Sequence, residues 1–465
     1  MTKRNTIEST AARTQGRLIA SFGLDGVRQK AEREKDARFT ALLHHVTPLL
    51  LKRSYYELRK NAAAGVDEET WQDYYQDHIN RLTDLHEKVH KGSYRAQPSR
   101  RTYIKKEDGK QRPLGIAALE DKIVQQAVYI VLNHIYETDF MGFSYGFRPG
   151  RNQHNALDAV YVGITSRKIN WILDADIQGF FDNLNHEWLM KFLEKRIGDK
   201  RILRLIRKWL KTGYIEKGKR YPQQVGTPQG SVISPLLANV FLHYALDEWI
   251  VWWRKNKTRG DVIVIRYADD FVVGFQNYTE ATQFRTALES RLAEYGLSLH
   301  PKKTRLIEFG KYARQNRDKK GKGKPMTFDF LGFTHICSKN KKGSFFLRRR
   351  TVRKRFVKKC KEIKFKLRER MHDDVIETGK WLRSVITGHG NYYGVPGNMD
   401  MVKEFYTQCV RAWLKVLRRR SHKAQNLDWK RFKRYTDWLL KRPRMAHPFP
   451  EVRLGVRTRS RSRMR

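Results

Sequence analysis

Cysteine is almost missing from this chain. Cys337, Cys360 and Cys409 are the three in 465 residues, and an odd, scattered set builds neither a disulfide framework nor a CxxC zinc site, which fits a reducing compartment. No apolar run approaches the roughly 18 residues of a membrane-spanning helix, and Met1 to Asp25 lacks the apolar stretch of a secretory signal. Acid is scarce too: 48 Asp+Glu face 95 Lys+Arg, a formal net charge of +47. A compact fold with that surplus repels itself, so its surface is built to meet a polyanion, nucleic acid before an anionic membrane. Disorder as the main state is excluded by 40% hydrophobic and 12% aromatic residues, and the length suggests two to four domains.

Residues 1–37 read as a basic N-terminal extension whose order the sequence leaves open. Leu42, Leu43, Val46, Leu49, Leu50 and Leu51 have helical spacing, which makes 38–101 a helical segment; Asp67 is positioned to cap a helix entered at Glu68. Tyr103 to Lys106, then Glu107-Asp108-Gly109-Lys110, then Arg112, reads as a basic hairpin. Between Ile169 and Phe275, short β-rich runs alternate with amphipathic helical stretches, an α+β core within 102–335. Gly310 to Lys324, with seven Lys/Arg against Asp318, reads as a solvated loop. Val352, Phe356, Cys360, Ile363 and Leu367 define an amphipathic helix whose other face is Lys and Arg, and further helices through Trp381 to Ile386 and Val402 to Leu417 complete a bundle over 336–425. Residues 426–465 read as a basic tail; six arginines and no acid lie in Arg453 to Arg465.

In so basic a chain, acids inside apolar β runs are the anomaly. Asp176 ends the run begun by Trp171-Ile172-Leu173, and Asp269-Asp270 sit between Val262 to Ile265 and Phe271 to Phe275, in what reads as a hairpin turn. An isolated Asp pair in a turn is ordinary turn chemistry. If the two strands are neighbours, however, three carboxylates converge, and their repulsion calls for a divalent cation. Carboxylates plus substrate phosphates suit Mg²⁺, and a pair of such ions promotes in-line phosphoryl displacement. Polyanion and metal together point to nucleotidyl transfer.

Phe180-Phe181-Asp182, the block Gly226-Thr227-Pro228-Gln229-Gly230-Ser231 to Ser234-Pro235-Leu236-Leu237-Ala238-Asn239, and Tyr267-Ala268-Asp269-Asp270 resemble, in order and spacing, the reverse transcriptases encoded by group II introns. Gly65-Val66-Asp67, Arg112-Pro113-Leu114-Gly115-Ile116, Tyr145-Gly146-Phe147-Arg148-Pro149-Gly150-Arg151 and Phe330-Leu331-Gly332-Phe333 also look like the family's blocks, and the likeness covers roughly residues 38 to 450. It implies an α+β right-hand polymerase of fingers, palm and thumb, with fingers and palm in 102–335 and a helical thumb or maturase domain in 336–425.

Carried onto this sequence, the resemblance makes Asp176, Asp269 and Asp270 the catalytic acids, with Asp176, Asp269 and the Ile177 main chain beside two Mg²⁺ ions, Mn²⁺ being a substitute. Lys106 and Arg112 match residues that hold the incoming triphosphate. Lys105 stands where the family usually has Pro, which leaves that strand less stiff and Lys105 itself a candidate for the contact. Phe181 resembles the gate against a 2′-hydroxyl; Phe180 would point the other way in a strand. Gln229 resembles the residue under the nucleotide. Lys303 matches a lysine that either protonates leaving pyrophosphate or contacts a template phosphate. Arg148, Arg151, Arg353, Lys354, Lys358, Tyr392 and Tyr393 are the expected nucleic-acid contacts.

The implied function is an RNA-directed DNA polymerase that copies intron RNA into cDNA and a maturase that assists its splicing and mobility. The alternatives are a domesticated relative in DNA repair or phage defence, a splicing-only RNA-binding protein, and an RNA-templated RNA polymerase, which Phe181 disfavours. The implied partners are group II intron RNA, an RNA template with DNA primer, dNTPs and target DNA, with no membrane, in a bacterial cytoplasm rather than an organelle. Without clustered His and paired Cys, no endonuclease domain is expected.

Overall fold

A computed structural model describes residues 23–105, 111–228 and 230–453, and its architecture mixes helix and sheet, with three sheets among the described residues. Strand β1 (Ser99–Lys105) pairs antiparallel with β2 (Gln111–Ile116), which is the expected hairpin; the turn between them lies outside the described residues. Strand β3 (Trp171–Asp176) belongs to another sheet, whereas β4 (Tyr214–Glu216) and β5 (Lys219–Tyr221) extend the first in the order β2-β1-β4-β5. Strands β6 (Val262–Tyr267), β7 (Asp270–Phe275) and β8 (Arg305–Glu308) complete an antiparallel sheet ordered β6-β7-β3-β8. The third sheet is β9 (Phe328–Phe330), β10 (Phe333–Lys339) and β11 (Phe345–Thr351).

The β6-β7-β3-β8 sheet is buried on both faces because its strands alternate two apolar sets. Leu173, Val264, Phe271, Val273 and Phe275 enter a core shared with the N-terminal helices and the helix Leu119–Asp139. Ile172, Ile265, Val272 and Ile307 face a second core with the helix Gln153–Ser166 and β9 to β11. That helix begins with a capping box, since the Asn152 and Asn155 side chains satisfy each other's backbone N–H groups. A third core holds the C-terminal helices Arg353–Glu369, Val375–Tyr393 and Met399–Arg418, where Phe405, Cys409, Trp413 and Leu417 are buried as their spacing predicts.

Several expectations change. Residues 23–33 form a helix with Leu24 and Ala31 buried, and the Arg196 guanidinium ties the following turn through the carbonyls of Glu34 and Ala37; only 1–22 of the expected extension lie outside the described residues. Asp67 does not cap the next helix, which Thr70 caps at Trp71–Tyr75; it accepts from the Leu119 N–H at 2.8 Å instead. The stretch 310–324 contains the helix Ala313–Lys319, anchored by buried Ala313. Residues 426–453 are folded: the helix Trp429–Leu439 buries Phe432 and Leu439, the Ala446 N–H returns to the Gly394 carbonyl, and Arg453 pairs with fully buried Asp158. Residues 454–465, the rest of the expected tail, lie outside the described residues.

His335 on β10 is fully buried, stacked on Phe328 with ring centroids 4.6 Å apart. Burial, with nearby Arg349, lowers its pKa to about 3. A histidine depressed when folded costs no stability above its unfolded pKa, near 6.5, and loses stability as pH falls from there toward about 3. His335→Phe keeps the stack and removes the proton uptake. Thermal melts should show the variant close to wild type at pH 7 and ahead of it by about 2 kcal/mol at pH 5.

Candidate active site

The register of β3 against β7 places Asp176 directly opposite Asp270. Tyr267 pairs with Asp270 across β6 and β7, so Ala268 and Asp269 form a two-residue turn. Ala268 has a φ of 57°, a left-handed conformation that this kind of turn normally gives to glycine, and such strain costs on the order of 1–3 kcal/mol. Its surroundings hold it. Arg266 donates from Nη1 to the Ala268 carbonyl at 3.0 Å and to Asn239 Oδ1 at 3.1 Å, while Asn239 donates to the Gly146 carbonyl at 2.8 Å. A Cβ on Gly146 would lie 2.4 Å from the Ala268 nitrogen, so only glycine lets these segments touch. Arg266 is itself clamped by Asp247 through a two-pronged ion pair, both side chains buried.

The acids form one electrostatic group. Burial, followed by the charges of Asp174, Asp269 and Asp176, pushes Asp270 up to about 8. Asp269 is also raised, by burial and then by Asp176, with Arg112 and Lys303 opposing. Arg112, exposed on β2, therefore bears on the same turn. Lys303 Nζ lies 2.9 Å from Asp176 Oδ2, a cation already seated on the carboxylate. The bridge between Ile177 and Leu299 uses the flanking atoms, His300 N–H to the Asp176 carbonyl and Gln178 N–H to the Ser298 carbonyl, and so leaves the Ile177 carbonyl on the opposite edge. No three acid, His or Cys groups among the described residues close into a cage for a metal ion. The donor set is instead one or two carboxylates beside an open edge, where burial and neighbouring charge disfavour the negative forms of Asp269 and Asp270 until positive charge arrives; that is a setting suited to Mg²⁺ completed by substrate phosphates.

Asp174 was not singled out by the sequence reading, although Asp174-Ala175-Asp176 alternates in one strand and so sets both acids on one face. Burial raises it to about 6, against the opposing Arg305, whose Nη2 lies 3.2 Å away. Arg355, on the helix Arg353–Glu369, is the cation that counters Asp270 from the C-terminal bundle.

Phe181 lies on the short helix Phe180–Asn183, four residues past Ile177, and not on a strand. Phe180 is 1% exposed and in the core, while Phe181 is half-buried at its edge. The Phe181 carbonyl accepts from the Thr227 N–H at 2.8 Å, and Ser231 Oγ donates to Gln125 Oε1 at 2.7 Å, which ties Thr227 to the helix Phe180–Asn183 and Ser231 to the helix Leu119–Asp139. Gln229 itself, like Lys106, lies outside the described residues.

The expected nucleic-acid contacts divide. Arg353, Lys354 and Lys358 are exposed on one helix. Arg148 is a correction: its side chain is 2% exposed, pairs twice with Glu137 and donates to the Met141 and Ser144 carbonyls, so no donor is left for phosphate. Arg151 likewise donates to the Gly142 and Ser144 carbonyls and rests on Tyr145. Tyr392 and Tyr393 are not stacking platforms; they pack on Phe333, and the Tyr392 hydroxyl donates to the Leu331 carbonyl at 2.9 Å. Exposed aromatics in basic surroundings include Trp429, Tyr435 and Trp438, with Arg418, Arg431 and Arg434 beside them.

Residues 104–335 match the family described as Reverse transcriptase (RNA-dependent DNA polymerase). The chain is 36% identical over 233 residues to Group II intron-encoded protein LtrA of Lactococcus lactis subsp. cremoris, covering 49% of this chain and 38% of that protein. Residues 104–335 belong to the reverse transcriptase family, and over them the chain is similar to group II intron-encoded proteins. Other relatives are similar over comparable stretches: Protein YkfC of Escherichia coli (strain K12) is 37% identical over 222 residues, 41% of this chain and 58% of that protein. Putative COX1/OXI3 intron 2 protein of Saccharomyces cerevisiae is 30% identical over 239 residues, 51% of this chain and 26% of that protein. The chain thus spans between about a quarter and three fifths of the length of these relatives. Membership in the reverse transcriptase family implies a right-hand polymerase fold, and the buried clamp on the Ala268-Asp269 turn is how this member builds its acidic centre.

Proposed function

We propose that the chain is an RNA-directed DNA polymerase that copies intron RNA into cDNA and, as a maturase, holds that RNA for splicing. The polymerase reading is carried by one observation, the cross-strand pairing of Asp176 with Asp270 beside the Ala268-Asp269 turn. In it, β1 and β2 belong to the fingers, the β6-β7-β3-β8 sheet is the palm, and the helices after β11 are the thumb or maturase domain. Asp176, Asp269 and the Ile177 carbonyl are the groups that would hold Mg²⁺. Divalent cations there supply charge stabilisation for in-line displacement at phosphorus. The chain's own residues do the rest: Asp270 keeps the cross-strand face acidic, Arg112 and Lys106 meet the triphosphate, and Lys303 leaves Asp176 for a phosphate oxygen when one arrives.

The maturase reading rests on the intron and maturase names of relatives, such as Nuclear intron maturase 1, mitochondrial, of Arabidopsis thaliana, and on a basic surface that fits RNA. Arg353, Lys354 and Lys358 supply phosphate contacts, and Trp429, Tyr435 and Trp438 supply exposed faces for stacking.

The test is primer extension on a heteropolymer RNA template with dNTPs and Mg²⁺, with sequencing of the RNA that copurifies. Full-length cDNA and a bound structured intron RNA are expected; absence of extension rejects the polymerase, and extension without bound intron RNA rejects the maturase half. Phe181, half-buried at the core's edge and tied through its carbonyl to Thr227, is the residue this reading assigns to meet the sugar of the incoming nucleotide. Phe181→Val should raise incorporation of ribonucleotides relative to dNTPs by about tenfold or more, the scale of a steric pocket contact, and an unchanged ratio removes Phe181 as the gate.

A further inference from the structure

Strand β6 is an edge of its sheet, and its outer side is only partly covered. In its ladder with β7, Tyr267, Ile265 and Ile263 turn their backbone groups inward, while Arg266, Val264 and Val262 turn theirs outward. The register is confirmed at both ends: Arg266 exchanges hydrogen bonds with Phe143 and Tyr145, and the Gln276 N–H bonds the Asp261 carbonyl. On the Phe143 side of this bridge, toward Val264, the cover stops. Among the described residues, no hydrogen bond meets the outward N–H and C=O groups of Val262 and Val264. They form the floor of a cleft of about 560 Å³ walled by the helices Gln153–Ser166 and Glu248–Lys257.

Natural edge strands are usually blunted by Lys, Pro or a bulge, yet Val262-Ile263-Val264-Ile265 has none of these. The walls are cationic. Arg254 and Arg167 both line the cleft; Asp261, its one acid, is taken by Arg167 at 3.7 Å and by the Lys168 N–H at 3.0 Å. Arg254 has no ion-pair partner among the described residues, and burial together with Arg167 disfavours its charged form.

We propose that this cleft takes an extended, acidic peptide segment of a partner protein as an added strand on β6. Backbone pairing to Val262 and Val264 would supply the affinity, and a carboxylate beside Arg254 the selectivity. A second copy of the chain is the less suitable occupant, since two edges would bring their own arginines together, and the +47 charge of the chain argues the same way.

The probe is a fluorescein-labelled hexapeptide of alternating valine and glutamate, added to the full chain and read by anisotropy and hydrogen exchange. Expected are saturable binding and slowed exchange in the segment containing Val262 and Val264, with binding weakened about tenfold or more when the edge-facing amides are N-methylated. Arg254→Glu should retain primer extension while losing the glutamate peptide and gaining its valine–lysine counterpart, a gain that a misfolded variant would not show. Equal binding of the N-methylated peptide would mean diffuse charge attraction and overturn the proposal. So would protection elsewhere, an unchanged preference in Arg254→Glu, or self-association that protects this edge without peptide binding. Because none of Asp174, Asp176, Asp269 and Asp270 lines the cleft, loss of peptide binding alone leaves the polymerase reading intact, and loss of primer extension alone leaves this one.

Discussion

Replacing Asp176 with Ala is expected to reduce primer extension on RNA by at least about 10³-fold, the equivalent of several kcal/mol of lost charge stabilisation, while RNA binding stays within about twofold of wild type. Asp176 alone touches every part of the site: it pairs with Asp270 across the sheet, raises Asp269, and receives the Lys303 ammonium at 2.9 Å. Asp176→Asn is the sharper variant because it keeps shape and a hydrogen-bond acceptor for Lys303 but not the charge. Both should retain the wild-type melting profile, since Asp176 is partly exposed and ends its strand. The exposed residues Arg353, Lys354 and Lys358, proposed to contact RNA, lie on the C-terminal helix Arg353–Glu369, so filter binding to intron RNA separates the two roles. Equal loss of synthesis and RNA binding would show that the acids act through the fold rather than the chemistry.

The acids were legible from sequence because β structure has a period of two and a register: a run ending in Asp176 and a two-residue turn ending in Asp270 need only adjacent strands to meet. The C-terminal helices were legible for the same kind of reason, Phe405, Cys409, Trp413 and Leu417 recurring on one face. What failed depended on partners that the local pattern does not announce, near in the chain for Arg148 and far for Tyr392. Nothing near Tyr392 announces that its hydroxyl bonds the Leu331 carbonyl. Arg148, in a glycine- and arginine-rich turn, looks like a phosphate ligand until Glu137 and two carbonyls are folded around it. A signal for the clamp did exist. Arg266 interrupts an apolar strand between Ile265 and Tyr267, and an arginine there must be buried with an acid or be exposed with its whole face; only the fold chooses between them.

That choice leads to the largest stability effect expected here. Arg266→Met should cost about 3–5 kcal/mol in chemical denaturation, because it strands the fully buried Asp247 carboxylate without its partner. Asp247→Leu should cost a similar amount by stranding the guanidinium. The double variant removes both charges together and should recover most of that loss, as buried ion pairs replaced by apolar side chains generally do. Primer extension should not recover with it. Arg266 also donates to the Ala268 carbonyl and to Asn239, so the double variant refolds its core but leaves the strained turn unheld, and displacement of a reacting group by about 1 Å costs on the order of 10²-fold in rate. Stability regained with synthesis still depressed about 10²-fold would identify the pair as a positioning device for Asp269. Recovery of both would mean that Gly146 and the β6–β7 ladder hold the turn unaided, and that the buried pair serves stability alone.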